Sequence, residues 1–287
     1  MKKYMFFPGC SLESTAQDYQ MSTLAVAKSL GMDMEELPDW TCCGSTPAHA
    51  TDALLAASLP ARNLAIAEKQ EADVVVCCAE CYGRLAAANH AISVDESLRS
   101  EVAQAIGTEY KGSVNVRHFL QVLRDDIGVA EIKNNVVKSL NGLKVACYYG
   151  CLLTRPKELS ILADPEDPQL IEQILTAAGA KPVEWPYKTE CCGASFSITR
   201  TDTVKRLCRD ILTMAKESGA DCIAVACPLC QSNLDLRQSD IEQTAGEIGL
   251  PVFYFTQLLG RSLGIADSEL GIDKLMVDPN KVLTGVS

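Results

Sequence analysis

Two cysteines stand side by side at Cys42 and Cys43, in "WTCCGST", and again at Cys191 and Cys192, in "TECCGAS". A disulfide within either pair closes a strained ring, because consecutive Cα atoms lie about 3.8 Å apart and a relaxed bridge spans about 5.5 Å. Neighbouring side chains diverge, so an adjacent pair reaches two metal ions more naturally than one. Each pair is followed by a C-x-x-C, "CAEC" at 78–81 and "CPLC" at 227–230, and the step from the second Cys of the pair is 35 residues in both places. Each pair is also preceded by a Gly-Cys that ends an apolar, aromatic run, "YMFFPGC" at Cys10 and "VACYYGC" at Cys151. The chain thus carries two sets of five: Cys10, Cys42, Cys43, Cys78 and Cys81, then Cys151, Cys191, Cys192, Cys227 and Cys230. A zinc ion takes four thiolates and is not matched by five with two adjacent. A multinuclear iron–sulfur cluster is the better fit, although the C-x-x-C-x-x-C run of ordinary ferredoxins is absent.

The elements that must position these thiols repeat with them. Two homologous halves are expected at 1–128 and 143–265, joined by a polar linker at 129–142 and followed by a tail at 266–287. The interval from Gly-Cys to CCG is 32 residues in the first half and 40 in the second, the extra length falling in "ADPEDPQ" at 163–169. "FLQVL" at 119–123 matches "FTQLL" at 255–259. Within each half, apolar runs ("YMFF", "ADVVVC", "KVACYY", "DCIAVAC") alternate with helical periodicity ended by glycine. This β-α-β-α-β order predicts an α/β fold of two pseudo-symmetric halves, each a mostly parallel sheet flanked by helices. Ligands of such sheets bind beyond the carboxyl ends of the strands, and there the strand-to-helix loops carry the cysteines. Gly44 and Gly193 are expected to let the backbone approach where a side chain would clash. Pro60, inside the second helix of the first half, should kink it or begin a new one.

Composition narrows the setting. With 287 residues, 47% hydrophobic, the chain can bury a substantial core without disulfide staples, so its fourteen cysteines point to metal or catalysis in a reducing cytoplasm. The opening "MKKYMFFPGC" lacks the apolar length of a secretory signal, and no run approaches the ~20 residues a bilayer requires, so no direct membrane insertion is expected. A net charge of −11 argues against nucleic acid. No G-x-G-x-x-G fingerprint is present, so electrons would have to come from a partner protein.

The two C-x(31–39)-C-C-G-x(33)-C-x-x-C units, with "YYGCLLTRP" and "FTQLLG", resemble the cysteine-rich CCG family, nearest to the B subunit of heterodisulfide reductase. The resemblance implies a noncubane [4Fe–4S] cluster on each five-cysteine set, the two clusters facing one another near the junction of the halves. It implies a disulfide reductase subunit that cleaves a mixed small-molecule disulfide, fed by a flavin-containing A-type subunit through a ferredoxin-like C-type iron–sulfur subunit. The chemistry agrees, since a disulfide takes two electrons and an iron–sulfur cluster passes one at a time. Two rival readings remain open: an electron-transfer iron–sulfur subunit of a quinone-linked hydroxyacid or succinate/fumarate oxidoreductase, and a thiolate scaffold without turnover.

The other polar candidates are weaker. Cys77, Cys147 and Cys222 lie in apolar strands and Cys208 in a helix, where a thiol is most often a small buried hydrophobe; Cys77, abutting Cys78, is the alternative ligand. His49, His90 and His118 are possible proton donors to a departing thiolate, with His49 alone near a ligand loop. Among Arg84, Arg155, Lys188 and Arg200, each near a ligand loop, Arg155 in "GCLLTRP" is the best candidate to receive an anionic substrate. Anaerobically purified protein should therefore hold on the order of eight irons and as many sulfides, four per five-thiolate set. Zinc without sulfide in metal analysis would contradict the cluster assignment.

Overall fold

The computed structural model describes residues 3–284 and contains two four-stranded, all-parallel sheets. In the first, β1 (Lys3–Phe7), β2 (Asp33–Glu36), β3 (Asp73–Val76) and β4 (Val116–His118) lie in the order β2-β1-β3-β4. In the second, β5 (Lys144–Tyr148), β6 (Lys181–Pro182), β7 (Cys222–Val225) and β8 (Val252–Tyr254) repeat it as β6-β5-β7-β8. The central strands are apolar along nearly their whole length because helices cover both faces. The two-half α/β expectation holds, with one strand more per half than the sequence suggested. β4 and β8 are three residues each, too short for a periodicity to register, and the matching "FLQV" and "FTQLL" segments are the helices that follow them.

In each sheet the chain leaves the two central strands toward opposite sides, between β1 and β3 and between β5 and β7. That switch point is where the loops part and leave a crevice. Between β1 and β2 the chain forms two helices, Gly9–Glu13 and Gln17–Ser29. Pro60 does not start a new helix: Ala53–Lys69 runs through it, capped by Asp52, whose carboxylate accepts from Leu55 N at 2.7 Å. One missing backbone donor is outweighed there by a face that buries Ala57, Ala61 and Leu64. Among the described residues no helix is long and apolar enough to cross a membrane.

A pseudo-two-fold axis relates the halves, and equivalent residues meet on it. Over the CCG and C-x-x-C regions the halves are 149 residues apart in sequence (43 to 192, 78 to 227). Thr46 Oγ1 lies 3.5 Å from its counterpart Ser195 Oγ, and the thiol of Cys78 is close enough to its counterpart Cys227 for each to perturb the other's acidity. The rings of Phe119 and Phe255, which follow β4 and β8, sit 6.4 Å apart. The halves are clamped by the helix Gln17–Ser29 against Phe255–Ser262: Tyr19 stacks on Tyr254 at 4.1 Å and donates to Ala226 O at 3.3 Å, and Ser22 and Thr256 share a 2.7 Å hydrogen bond. The 129–142 segment holds a helix, Val129–Asn134, and then hydrogen-bonds to the second half through Ser262 O and Ala178 O. Beyond 265 the chain packs on the second half, with Leu270 and Ile272 buried and the amides of Met276 and Val277 bonded to the Asp235 carboxylate at 2.8 and 3.2 Å; 285–287 lie outside the described residues.

Tyr19→Ala removes the buried stack across the junction and should destabilise the chain by about 3–5 kcal/mol, the usual cost of emptying a buried aromatic site. Chemical denaturation of wild type and variant measures it.

Candidate metal centre

All ten cysteines of the two sets sit at the carboxyl ends of parallel strands. Cys10 follows β1 in the short helix Gly9–Glu13, and Cys151 follows β5. The CCG pairs lie in the loops after β2 and β6, and each C-x-x-C opens the helix after β3 or β7, with Cys78 and Cys227 as N-caps and Cys81 and Cys230 in the first turn. The thiols converge within each half. Cys43 and Cys81 are 3.3 Å apart, Cys192 and Cys230 3.4 Å, and Cys151 and Cys191 3.8 Å. Both sets have the same layering: Cys43, Cys78 and Cys81, like Cys192, Cys227 and Cys230, are buried, whereas Cys10, Cys42 and Cys191 are exposed and Cys151 is half-buried. All fourteen cysteines are free thiols. Among the described residues no three His, Cys, Asp or Glu side chains close around a point that would hold a single metal ion.

The thiol chemistry follows from this crowding. Hydrogen bonding with Cys81 holds Cys43 below the ordinary thiol range, and hydrogen bonds from Cys230 and then Cys78 hold Cys227 well below it. Cys191 is drawn down to about 6, chiefly by Cys151 and then by the Gly193 N–H, 3.3 Å from its sulfur. Their partners Cys81, Cys230 and Cys151 are pushed up as the proton-bearing members. Several thiolates side by side without a cation would repel one another, so these sets suit a ligand that supplies positive charge to all five. Five convergent thiols with an adjacent pair fit a multinuclear iron–sulfur group.

The glycines that admit such close packing are Gly9 and Gly150, immediately before Cys10 and Cys151. Both have positive φ, +69° and +66°, and a Cβ would lie 2.9 Å from Cys81 Sγ on Gly9 and 3.1 Å from Cys230 Sγ on Gly150. At Gly44 and Gly193 a side chain would also clash, as expected, but against Ala48 and Leu59, or Leu207 and Val204, rather than a thiol, and both take positive φ to start the following turns. Behind the loops, Phe7 packs edge-on against Trp40 at 5.5 Å, and its counterpart Tyr148 lies 6.1 Å from Trp185. Asn63 clamps the first CCG loop by exchanging two hydrogen bonds with the Thr41 backbone, at 2.8 and 2.9 Å.

The remaining candidates separate clearly. Cys77 is buried in the core, pushed up to about 12 by burial and bonded to Thr23 Oγ1 at 3.5 Å. Cys147 and Cys222 are buried strand residues, and Cys208 bonds to Cys192 O at 3.5 Å. His118 is buried, driven down to about 4 by burial, and fixed between Cys77 O and Leu120 N, so it is a neutral structural group. Lys188 is not available to a substrate: its ammonium is buried against Asp167 (2.9 Å) and Glu172 (3.2 Å). Arg200 lies on the surface beside Asp202, and His90 is exposed on a helix away from the thiols.

His49, Arg84 and Arg155, distant in sequence, line one cleft of about 310 Å³ at the junction of the halves. Its walls include Ala79 and Glu80, inside the first C-x-x-C, and Leu152, next to Cys151, so it borders both sets. Glu80 is buried, accepts from Thr46 Oγ1 at 3.0 Å and pairs with Arg84 at 3.5 Å. Arg155 is half exposed, 3.5 Å from Glu166. Larger surface hollows, near Arg99 and near Leu55, lie away from the thiols. The counterpart hollow across the axis, between Ser14, Asp18, Gln231 and Asp235, is bounded by Lys274 of the C-terminal segment. The positions equivalent to His49, Arg84 and Arg155 are Ile198, Asn233 and Ser14, none of them cationic.

A family profile, the cysteine-rich domain CCG, matches residues 4–86 and 145–235, and the chain belongs to that family. It is 33% identical over 98% of its length to the 8-methylmenaquinol:fumarate reductase membrane anchor subunit of Wolinella succinogenes, covering 99% of that protein. It is 31% identical over 96% of its length to the B subunit of the ferredoxin/F(420)H(2)-dependent CoB-CoM heterodisulfide reductase of Methanosarcina acetivorans, covering 93% of that protein. Among solved structures a hypothetical protein from Helicobacter pylori shares the fold, with a TM-score of 0.76 at 11% identity, covering 96% of this chain and 52% of that one.

Gly9→Ala should lower bound iron by roughly half, by displacing one thiol of one set. Gly31→Ala, at a similar φ of +71° with nothing within 4 Å of the new methyl, should leave it intact. Iron and sulfide per chain in the two purified variants decide it.

Proposed function

We propose that this chain is the catalytic iron–sulfur subunit of a heterodisulfide reductase-type complex in the cytoplasm. The reaction is R–S–S–R′ + 2e⁻ + 2H⁺ → RSH + R′SH, with electrons from a flavin-containing A-type subunit through a ferredoxin-like C-type subunit. The coarser reading, an iron–sulfur oxidoreductase subunit of a larger assembly, rests on near full-length similarity to heterodisulfide reductase B subunits. The observation that carries the finer one is the junction cleft of His49, Arg84 and Arg155, whose walls include Ala79 and Glu80 of the first C-x-x-C and Leu152 beside Cys151, so that it borders two equivalent five-thiol sets. Cys10, Cys42, Cys43, Cys78 and Cys81 would hold one noncubane [4Fe–4S] cluster, and Cys151, Cys191, Cys192, Cys227 and Cys230 the other. Bound there, such clusters supply single electrons and thiophilic iron. The chain's own residues do the rest: Arg155 and Arg84 receive anionic substituents of the disulfide, Glu80 holds Arg84 in place, and His49 delivers a proton to a departing thiolate.

A second reading is favoured by the 33% identity to a subunit of a menaquinol-linked fumarate reductase: the same two sets would pass electrons between a quinol and a partner without binding a disulfide. Replacing Cys192 by Ser separates the two. Under the disulfide reading, thiol release with an artificial reductant is abolished while the first cluster's paramagnetic signal persists, and Arg155→Ala raises KM for an anionic disulfide about tenfold or more, the worth of a charge-assisted hydrogen bond. No thiol release from any disulfide by the wild-type complex, together with quinol oxidation, would replace this reading with the second.

A further inference from the structure

The two five-thiol sets are equivalent in sequence spacing but not in what surrounds them. Asn233, 3% exposed on the helix Pro228–Leu236, directs its amide nitrogen at Cys192, 3.7 Å from Sγ and 3.3 Å from the carbonyl oxygen. Its orientation is imposed from behind. Ser197 Oγ donates to Asn233 Oδ1 at 2.9 Å and Arg237 Nε donates to the same oxygen at 3.1 Å. With two donors on its oxygen, the amide can present only N–H to the sulfur. Arg237 is itself held by Ser197 O at 2.7 Å, so the three residues form one hydrogen-bonded unit, buried at Asn233 and half-buried at Ser197 and Arg237, whose amide N–H leans on the thiol. The 149-residue step places Arg84, Ala48 and Ala88 at the same three positions of the first half. Cys43, the counterpart of Cys192, therefore has no equivalent of this unit behind it, and the side chain at the Asn233 position turns instead into the cleft as Arg84.

Hydrogen bonds to ligand sulfur and nearby positive charge both stabilise the reduced, more negative state of an iron–sulfur group, raising its potential. We propose that Asn233, oriented by Ser197 and Arg237, is a positioning residue that lifts the potential of the cluster on the second set above that of the first. This rests on the reading of the two sets as cluster ligands. The consequence is a division of labour: the electron arriving first resides on the second set, beside this polar unit, while the first set lends Ala79 and Glu80 of its C-x-x-C to the wall of the open cleft.

The test is a redox titration of the anaerobic holoprotein followed by electron paramagnetic resonance. The signal of the second cluster is the one missing from Cys192→Ser. Asn233→Leu removes the donor. Asn233→Asp keeps the shape and the bonds from Ser197 and Arg237 but turns an oxygen toward the sulfur. Both should shift the reduced-to-oxidised ratio of the second cluster at fixed potential by about tenfold or more toward the oxidised form, about 59 mV for a one-electron centre, with Asp the larger and the first cluster unmoved. An unchanged potential in an iron-replete variant, an equal shift of both clusters, or loss of the second cluster from both variants would overturn the proposal and leave Asn233 a purely structural clamp. Wild-type protein that binds no sulfide-containing cluster would instead refute the underlying reading.

Discussion

Cys78 and Cys227 face one another across the pseudo-two-fold axis, and that juxtaposition constrains the rest of the molecule. Each is the N-cap of a helix that leaves a central strand, so the two sheets must present the carboxyl ends of β3 and β7 to one another. Once they do, every loop carrying a cysteine is brought to the same region, because in a parallel sheet all strand-to-helix connections emerge at one edge. The Tyr19–Tyr254 stack and the Phe119–Phe255 pair keep the two edges facing. Neither half could supply that alignment alone.

The arrangement is costly without a bound group. Six of the ten thiols are buried, several within 3.3–3.4 Å of another sulfur. Burial drives such thiols toward the neutral form while hydrogen bonding draws one member of each contact toward thiolate, a conflict that a multivalent cationic group relieves. Gly9 and Gly150 show how tightly the loops are drawn in, since neither position has room for a methyl group against the facing sulfur.

Duplication built a symmetric scaffold, and side chains then broke the symmetry. One junction cleft carries His49, Arg84 and Arg155. The other half has Ile198, Asn233 and Ser14 at those positions, and its hollow is bounded by the C-terminal segment, which the Asp235 carboxylate pins through two backbone amides. The same is true of the clamps on the CCG loops, Asn63 on Thr41 in one half and Asn233 on Cys192 in the other. The two faces on either side of one thiol assembly are therefore chemically distinct.

The chain's spacing alone disclosed the ten cysteines, the duplication and the parallel α/β order, because backbone topology follows from apolar runs and their alternation with helical periodicity. It also singled out His49 and Arg155. It did not reveal that these two share a cleft with Arg84, nor that Lys188, equally close to a ligand loop, is spent on Asp167 and Glu172. Nor did it show which glycines face sulfur, or that Asn233 reaches Cys192. Those facts depend on how side chains 16 to 106 residues apart in the chain meet after the sheets have packed. Sequence order encodes local conformation and repeat spacing; the direction in which a polar side chain points is decided only when its neighbours from distant segments arrive.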